Sequence, residues 1–286
     1  MPRFRVGPWL ASPSVRTQNR DASAIPPART ISGVLDHAFE VMRLHAGVVL
    51  AISVAAVLPL SIVMLVLQIQ IVGLDGVGDP LAGFDEDGGS DFTLTLVALL
   101  ISSLQVTLMA GALSPLVAGD VGPDASAGLL AGKLLRRLPS VLAAWFIVKL
   151  MQVVGLVGLV VGAAFVMVFA SLTTPALMTG SANPFRAIAT SFRLVSKSFG
   201  RAVGVITLMI VVDTVIRLSF VSVPAIITAW TSWTLGEVAV ATFAVVADLV
   251  SAAFVGAATA TLFVDLCVRV DHYDLERRFE RAGVPW

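Results

Sequence analysis

Apolar residues recur in long uninterrupted runs along most of this chain, and polar residues gather in the short stretches between them. A helix crossing the hydrocarbon core of a bilayer needs about 20 apolar residues, because lipid offers no partner to an unpaired backbone N–H or C=O. Six segments meet that requirement: 46–72, 92–118, 141–158, 160–179, 202–222 and 238–264. The third and fourth come from one run too long for a single helix, and Gly155, Gly158 and Gly162 offer a place to turn. Basic residues stand before that run at Lys133, Arg136 and Arg137 and after it at Arg186 and Arg193, so an even number of crossings must lie between.

A second pattern, with helical spacing, precedes each pair of runs. Over 184–199, Phe185, Ile188, Phe192, Val195 and Phe199 recur at three- and four-residue intervals, opposite Arg186, Thr190, Arg193 and Lys197. Over 31–45, Ile31, Leu35, Ala38 and Met42 form one face and Asp36, Glu40 and Arg43 another. Over 126–138, Leu130, Leu134 and Leu138 oppose Lys133, Arg136 and Arg137. Helices of this kind lie in the plane of the membrane interface. The pattern predicts an all-α polytopic membrane protein: six transmembrane helices with three amphipathic interfacial helices on the cytoplasmic side, arranged as three copies of one unit. In domain terms, 1–30 is read as a disordered cytoplasmic tail, 31–278 as the membrane domain and 279–286 as a cytoplasmic C-terminal tail.

Composition agrees: 57% apolar and only 13% charged residues leave too little polar surface for a water-soluble globule. Charge then adds direction. Of the 19 Lys and Arg residues, all but Lys149 and Arg217 lie outside the apolar runs, and they occupy alternate connections only. Short cytoplasmic loops retain basic residues, so both termini and the basic connections are assigned to the cytoplasm. The connection 73–91 carries Asp75, Asp79, Asp85, Glu86, Asp87 and Asp91 without a basic residue and is assigned to the outside. Its acidic run lacks the alternating ligand spacing of a calcium loop, so a solvated loop is expected there. The other outer connection, 223–237, with Pro224, Trp230 and Trp233, suits the headgroup level. Arg outnumbers Lys sixteen to three, a bias expected of a GC-rich bacterial genome, which places the chain in a bacterial inner membrane.

The same counts exclude several functions. A formal net charge of zero and the lack of an aromatic-interleaved basic stripe argue against a nucleic-acid partner. Cys267 is the single cysteine, so neither an intrachain disulfide nor a multi-cysteine metal site can form. His37, His45 and His272 sit at helix ends outside any catalytic pattern, and no nucleophile elbow or phosphate-cradling glycine loop occurs. Asp265, Asp271, Asp274 and Glu276 alternate with Arg269, Arg277, Arg278 and Arg281, as expected of a salt-bridged helix end rather than a metal site. No enzyme activity, cofactor or metal is expected.

Two sets of residues remain as candidates. Lys149, Asp213, Arg217 and Asp248 lie inside spans, where an ionised group costs about 2.5–3.5 kcal/mol on insertion scales. Lys149, Asp213 and Asp248 each fall about 15 Å deep at helical rise, and Asp213 and Arg217 are spaced to pair on one face. An intramembrane polar network of these four, completed by Gln105 and Gln152, is expected; it either fixes helix register or lines a path for an ion, a proton or a headgroup. The second set comprises Lys133, Arg136, Arg137, Arg186, Arg193 and Lys197, candidate contacts to lipid headgroups. Expected partners are membrane lipids and other membrane or envelope proteins.

Three segments also carry a resemblance. Thr261-Leu-Phe-Val-Asp265-Leu-Cys-Val-Arg269 followed by Asp274-Leu-Glu276, the opening Ile31-Ser-Gly33-Val-Leu-Asp36-His-Ala-Phe39, and Asn183-Pro-Phe-Arg186-Ala-Ile-Ala-Thr-Ser191-Phe resemble segments of the bacterial glycerophosphoryl diester phosphodiesterase membrane-domain family. Together they cover 31–278, with Cys267 where the family commonly has Arg and Val264 where it has an aromatic residue. The resemblance implies the polytopic domain without the catalytic barrel, whose histidines and metal-binding carboxylates have no counterpart here. It therefore points to a non-catalytic envelope or lipid-associated module, with a transporter or permease component as the alternative.

Overall fold

The computed structural model describes residues 30–72, 89–121, 125–157, 160–180, 183–228 and 233–282, with side chains described up to Val270. The expected tail over 1–30 (apart from Thr30), most of the acidic loop and the side chains beyond Val270 lie outside that description. Every regular element among the described residues is a helix: α1 (Ile31–Leu44), α2 (Ala46–Ala56), α3 (Leu58–Val72), α4 (Gly89–Val117), α5 (Ala127–Val157), α6 (Val160–Ala170), α7 (Thr173–Thr179), α8 (Pro184–Lys197), α9 (Phe199–Thr228) and α10 (Trp233–Ala282).

Five spans are long and apolar enough to cross a membrane: Thr93–Val117, Ala127–Leu156, Val161–Thr179, Phe199–Pro224 and Val238–Val270. A sixth span is present by length and composition only if α1 and α2, bent by 90° to each other, are taken as one; helices α2 and α3 form a shorter apolar pair. Only Val57 interrupts them, and helical bonding continues through it, with Val57 N donating to Ser53 O (2.7 Å) and Ser61 N to Val57 O (2.9 Å). The break reflects Pro59, which has no N–H to offer the preceding turn. Before this pair the chain turns through 90° at His45, so α1 lies across the entry to α2. Large apolar side chains on the outer helices, including Phe146, Val154, Val161 and Leu218, are more than half exposed, as a lipid-facing surface requires.

Helix α10 is the centre of the bundle, packed against α9, α4, α1 and α2. Small residues permit this. A Cβ on Gly256 would lie 2.7 Å from Met109 Cβ and 2.8 Å from the Ala110 nitrogen, so α10 and α4 touch backbone to backbone. The hairpin of α5 and α6 closes in the same way, with a Cβ on Gly155 meeting the Gly162 carbonyl carbon at 2.9 Å. Close approach through small residues is how membrane helices gain packing energy where lipid removes the hydrophobic drive.

Three details differ from the sequence pattern. The amphipathic stretch 126–138 is not a separate helix: it forms the first turns of α5, which continues through Pro139. The fourth span is broken at Ser171 and Leu172 into α6 and α7, and the break is stabilised by α8, whose fully buried Ser191 donates from Oγ to Phe169 O (2.6 Å) and accepts from Leu172 N (3.2 Å). The buried stripes of α1 and α8 are also rotated from the expected ones. Helix α1 buries Val34, Leu35, Ala38 and Val41, leaving Ile31 partly exposed, and α8 buries Ala187, Ile188, Ser191, Leu194 and Val195 while Phe185 is 69% exposed. Both helices keep side-chain caps at their starts: Thr30 Oγ1 accepts from Gly33 N, and Asn183 Oδ1 from Phe185 N ahead of Pro184.

Candidate functional site

Helices α9 and α10 run antiparallel, and their facing residues bring three of the four expected intramembrane charges together. Arg217 Nε lies 3.3 Å from Asp213 Oδ2, one turn away on α9, and Arg217 Nη1 pairs with Asp248 Oδ1 on α10. Buried Ser251 donates to Asp213. From Asp248 the network continues into the interior: Ser61 of α3 donates to Asp248 Oδ2 (3.2 Å), and Gln105 Nε2 of α4 donates to Ser61 Oγ (2.9 Å). Gln105 is 1% exposed and Ser61 2%, so four helices converge on one polar cluster. Ser61 and Ser251 were missed by sequence reasoning, since a lone serine in an apolar run is ordinarily satisfied by its own helix. Thr107, Thr214 and Ser219 behave that way, each donating to the carbonyl four residues back.

Lys149 does not join this cluster, contrary to the expectation. Its Nζ donates to Gln152 Oε1 at 2.9 Å on its own helix, and Gln152 is thereby withdrawn from the network as well. The reason is the packing order: α5 lies against α4, α6 and α7, and α4 contacts both α5 and α10. Equal depth along the membrane normal does not bring two residues to the same side of a bundle.

A second charged cluster marks the end of the bundle where α9 begins. Asp265, 8% exposed, accepts at Oδ2 from Arg201 Nε (2.8 Å) and from Arg269 Nε (3.1 Å). The pair with Arg269 follows from four-residue spacing on α10. Arg201 is 64 residues away in sequence and gave no signal.

The candidate headgroup contacts gather at this same end. Lys133, Arg136 and Arg137 lie on the first turns of α5, and Arg186, Arg193 and Lys197 on α8, which leads into α9. Arg186, Arg193 and Lys197 are exposed. Arg137 departs from the expected role: it turns inward and donates from Nη1 to the carbonyls of Leu177 and Met178 (3.0 Å to the latter), satisfying the end of α7. A cavity of about 390 Å³ opens beside it, lined by Pro115 and Asp120 from the end of α4, by Lys133, Arg136 and Arg137, and by Met178 and Thr179. Among the described residues there is no group of three or more His, Cys, Asp or Glu side chains able to hold a metal.

Fold and charge placement together define a polytopic, all-helical membrane protein with a charged network within its apolar helices and basic residues at one end. Comparison with known families, curated proteins and solved structures finds no match to this chain.

Proposed function

We propose that the chain is a non-catalytic module of a bacterial inner membrane, associated with lipid through its basic end, with that end and both termini in the cytoplasm. The observation that carries this reading is the segregation of charge. Helix α8 and the start of α5 place Lys133, Arg136, Arg186, Arg193 and Lys197 at one end of the bundle. Anionic headgroups attract such residues by about 1 kcal/mol each. The Arg-rich composition and the three family-like segments support the bacterial assignment and the lack of a catalytic centre. Within the span region, Asp213, Arg217 and Asp248 bind one another and the bundle's own Ser61, Ser251 and, through Ser61, Gln105, an arrangement suited to holding helices in register.

A second reading, a transporter or permease component, draws on one feature of that cluster: two carboxylates share a single guanidinium, leaving negative charge uncompensated when all three are ionised. Proteoliposome flux separates the two. The module reading expects ion and proton flux equal to that of empty liposomes for wild type and for Asp213→Asn and Asp248→Asn. Flux that rises above that level and falls with either substitution replaces the module with the transporter.

A further inference from the structure

The cavity at the basic end has the composition of an anion site. Lys133, Arg136 and Arg137 follow one another at helical spacing and so share one face of α5, and Asp120 is the single carboxylate in the lining. Among the described residues, Lys133 and Arg136 have neither an ion-pair nor a hydrogen-bond partner within the chain. Two helices end at the cavity, and free carbonyls there would oppose an anion. Five of those carbonyls are already engaged. Arg137 binds the last carbonyls of α7, while at the end of α4 Ala118 N, Gly119 N and Asp120 N donate to Ser114, Leu116 and Pro115. Gly119, at φ +72°, makes the left-handed turn that closes those bonds and carries Asp120 to the cavity.

With those five carbonyls engaged, Lys133 and Arg136 remain as uncommitted cations in a concavity of headgroup size.

We propose that this cavity binds the phosphate headgroup of an anionic membrane lipid, with Lys133 and Arg136 holding the phosphate, Arg137 bracing the wall and Asp120 limiting the net positive charge. The inference rests on the reading that this end of the bundle lies at headgroup level, and it narrows a diffuse surface attraction to one built site.

The test is native mass spectrometry of the full chain in neutral detergent, titrated with phosphatidylglycerol, phosphatidylethanolamine or phosphatidylcholine, with inorganic phosphate as competitor. Wild type is expected to retain phosphatidylglycerol roughly tenfold more tightly than the two zwitterionic lipids. Lys133→Gln/Arg136→Gln removes that preference, and Asp120→Asn strengthens it, a gain that misfolding cannot mimic. The triple variant Arg186→Gln/Arg193→Gln/Lys197→Gln leaves it in place, and millimolar phosphate does not displace the lipid. Wild-type preference in Lys133→Gln/Arg136→Gln together with no gain in Asp120→Asn overturns the pocket; if the α8 triple variant then loses the preference, the broader lipid reading survives. Equal retention of all three lipids by wild type overturns both readings. Displacement by phosphate assigns the cavity to a soluble anion, and equal retention of phosphatidylethanolamine assigns it to a zwitterionic headgroup; either result overturns the anionic-lipid site.

Discussion

Arg217 is the residue on which the intramembrane cluster depends, because it is the only cation within reach of Asp213 and Asp248 among the described residues. Removing one partner of a buried ion group leaves the other charges uncompensated, whereas removing all of them together need not destabilise. Arg217→Leu is therefore expected to lower stability by about 3–5 kcal/mol, and the triple change Asp213→Leu/Arg217→Met/Asp248→Leu to restore most of it. Lys149→Met is expected to be neutral or stabilising, since it removes a membrane-embedded charge that has no ion-pair partner among the described residues. Unfolding in mixed micelles, followed by circular dichroism against denaturant, measures all three. A large loss from Lys149→Met contradicts the separation of Lys149 from the cluster. The pairing of Asp213 with Arg217 was legible in the sequence because four-residue spacing on a helix is a local rule. The recruitment of Asp248, Ser61 and Gln105 depends on which helices are neighbours, which spacing does not encode; for the same reason depth alone misplaced Lys149.

Among the elements, the long apolar runs were the most legible, because twenty apolar residues in lipid admit little but a helix. Breaks inside runs were less so. The interruption of α2 and α3 has a local cause in Pro59, whereas the gap between α6 and α7 is held by a hydroxyl from α8. Ser191 reads in sequence as one polar residue near the border of an amphipathic helix, and only the packing of α8 against the break reveals its two bonds. Ser191→Val is expected to destabilise by about 1–3 kcal/mol, the cost of a buried carbonyl and N–H left without partners, and to speed backbone amide exchange at Leu172. A variant with unchanged stability and exchange contradicts this account of the break. Pro139 shows the converse: it stands between the amphipathic stretch 126–138 and the apolar run, yet it sits inside the continuous helix α5, its lost hydrogen bond tolerated as proline often is in membrane helices.

For the whole molecule, the positions of the charged clusters and the basic cavity follow from one topology, in which α1, α8 and the starts of α5 and α9 share one end of a helical bundle built around α10. That end carries the basic residues, and the sequence between α3 and α4 holds Asp75, Asp79, Asp85, Glu86 and Asp87 without one basic residue. Single-cysteine labelling in intact cells tests this most directly, using a Cys267→Ala background with Asp85→Cys or Ser196→Cys and a membrane-impermeant maleimide. The account predicts that the cysteine at position 85 reacts in intact cells and that the one at 196 reacts only after permeabilisation. Reaction of both from the same side contradicts it.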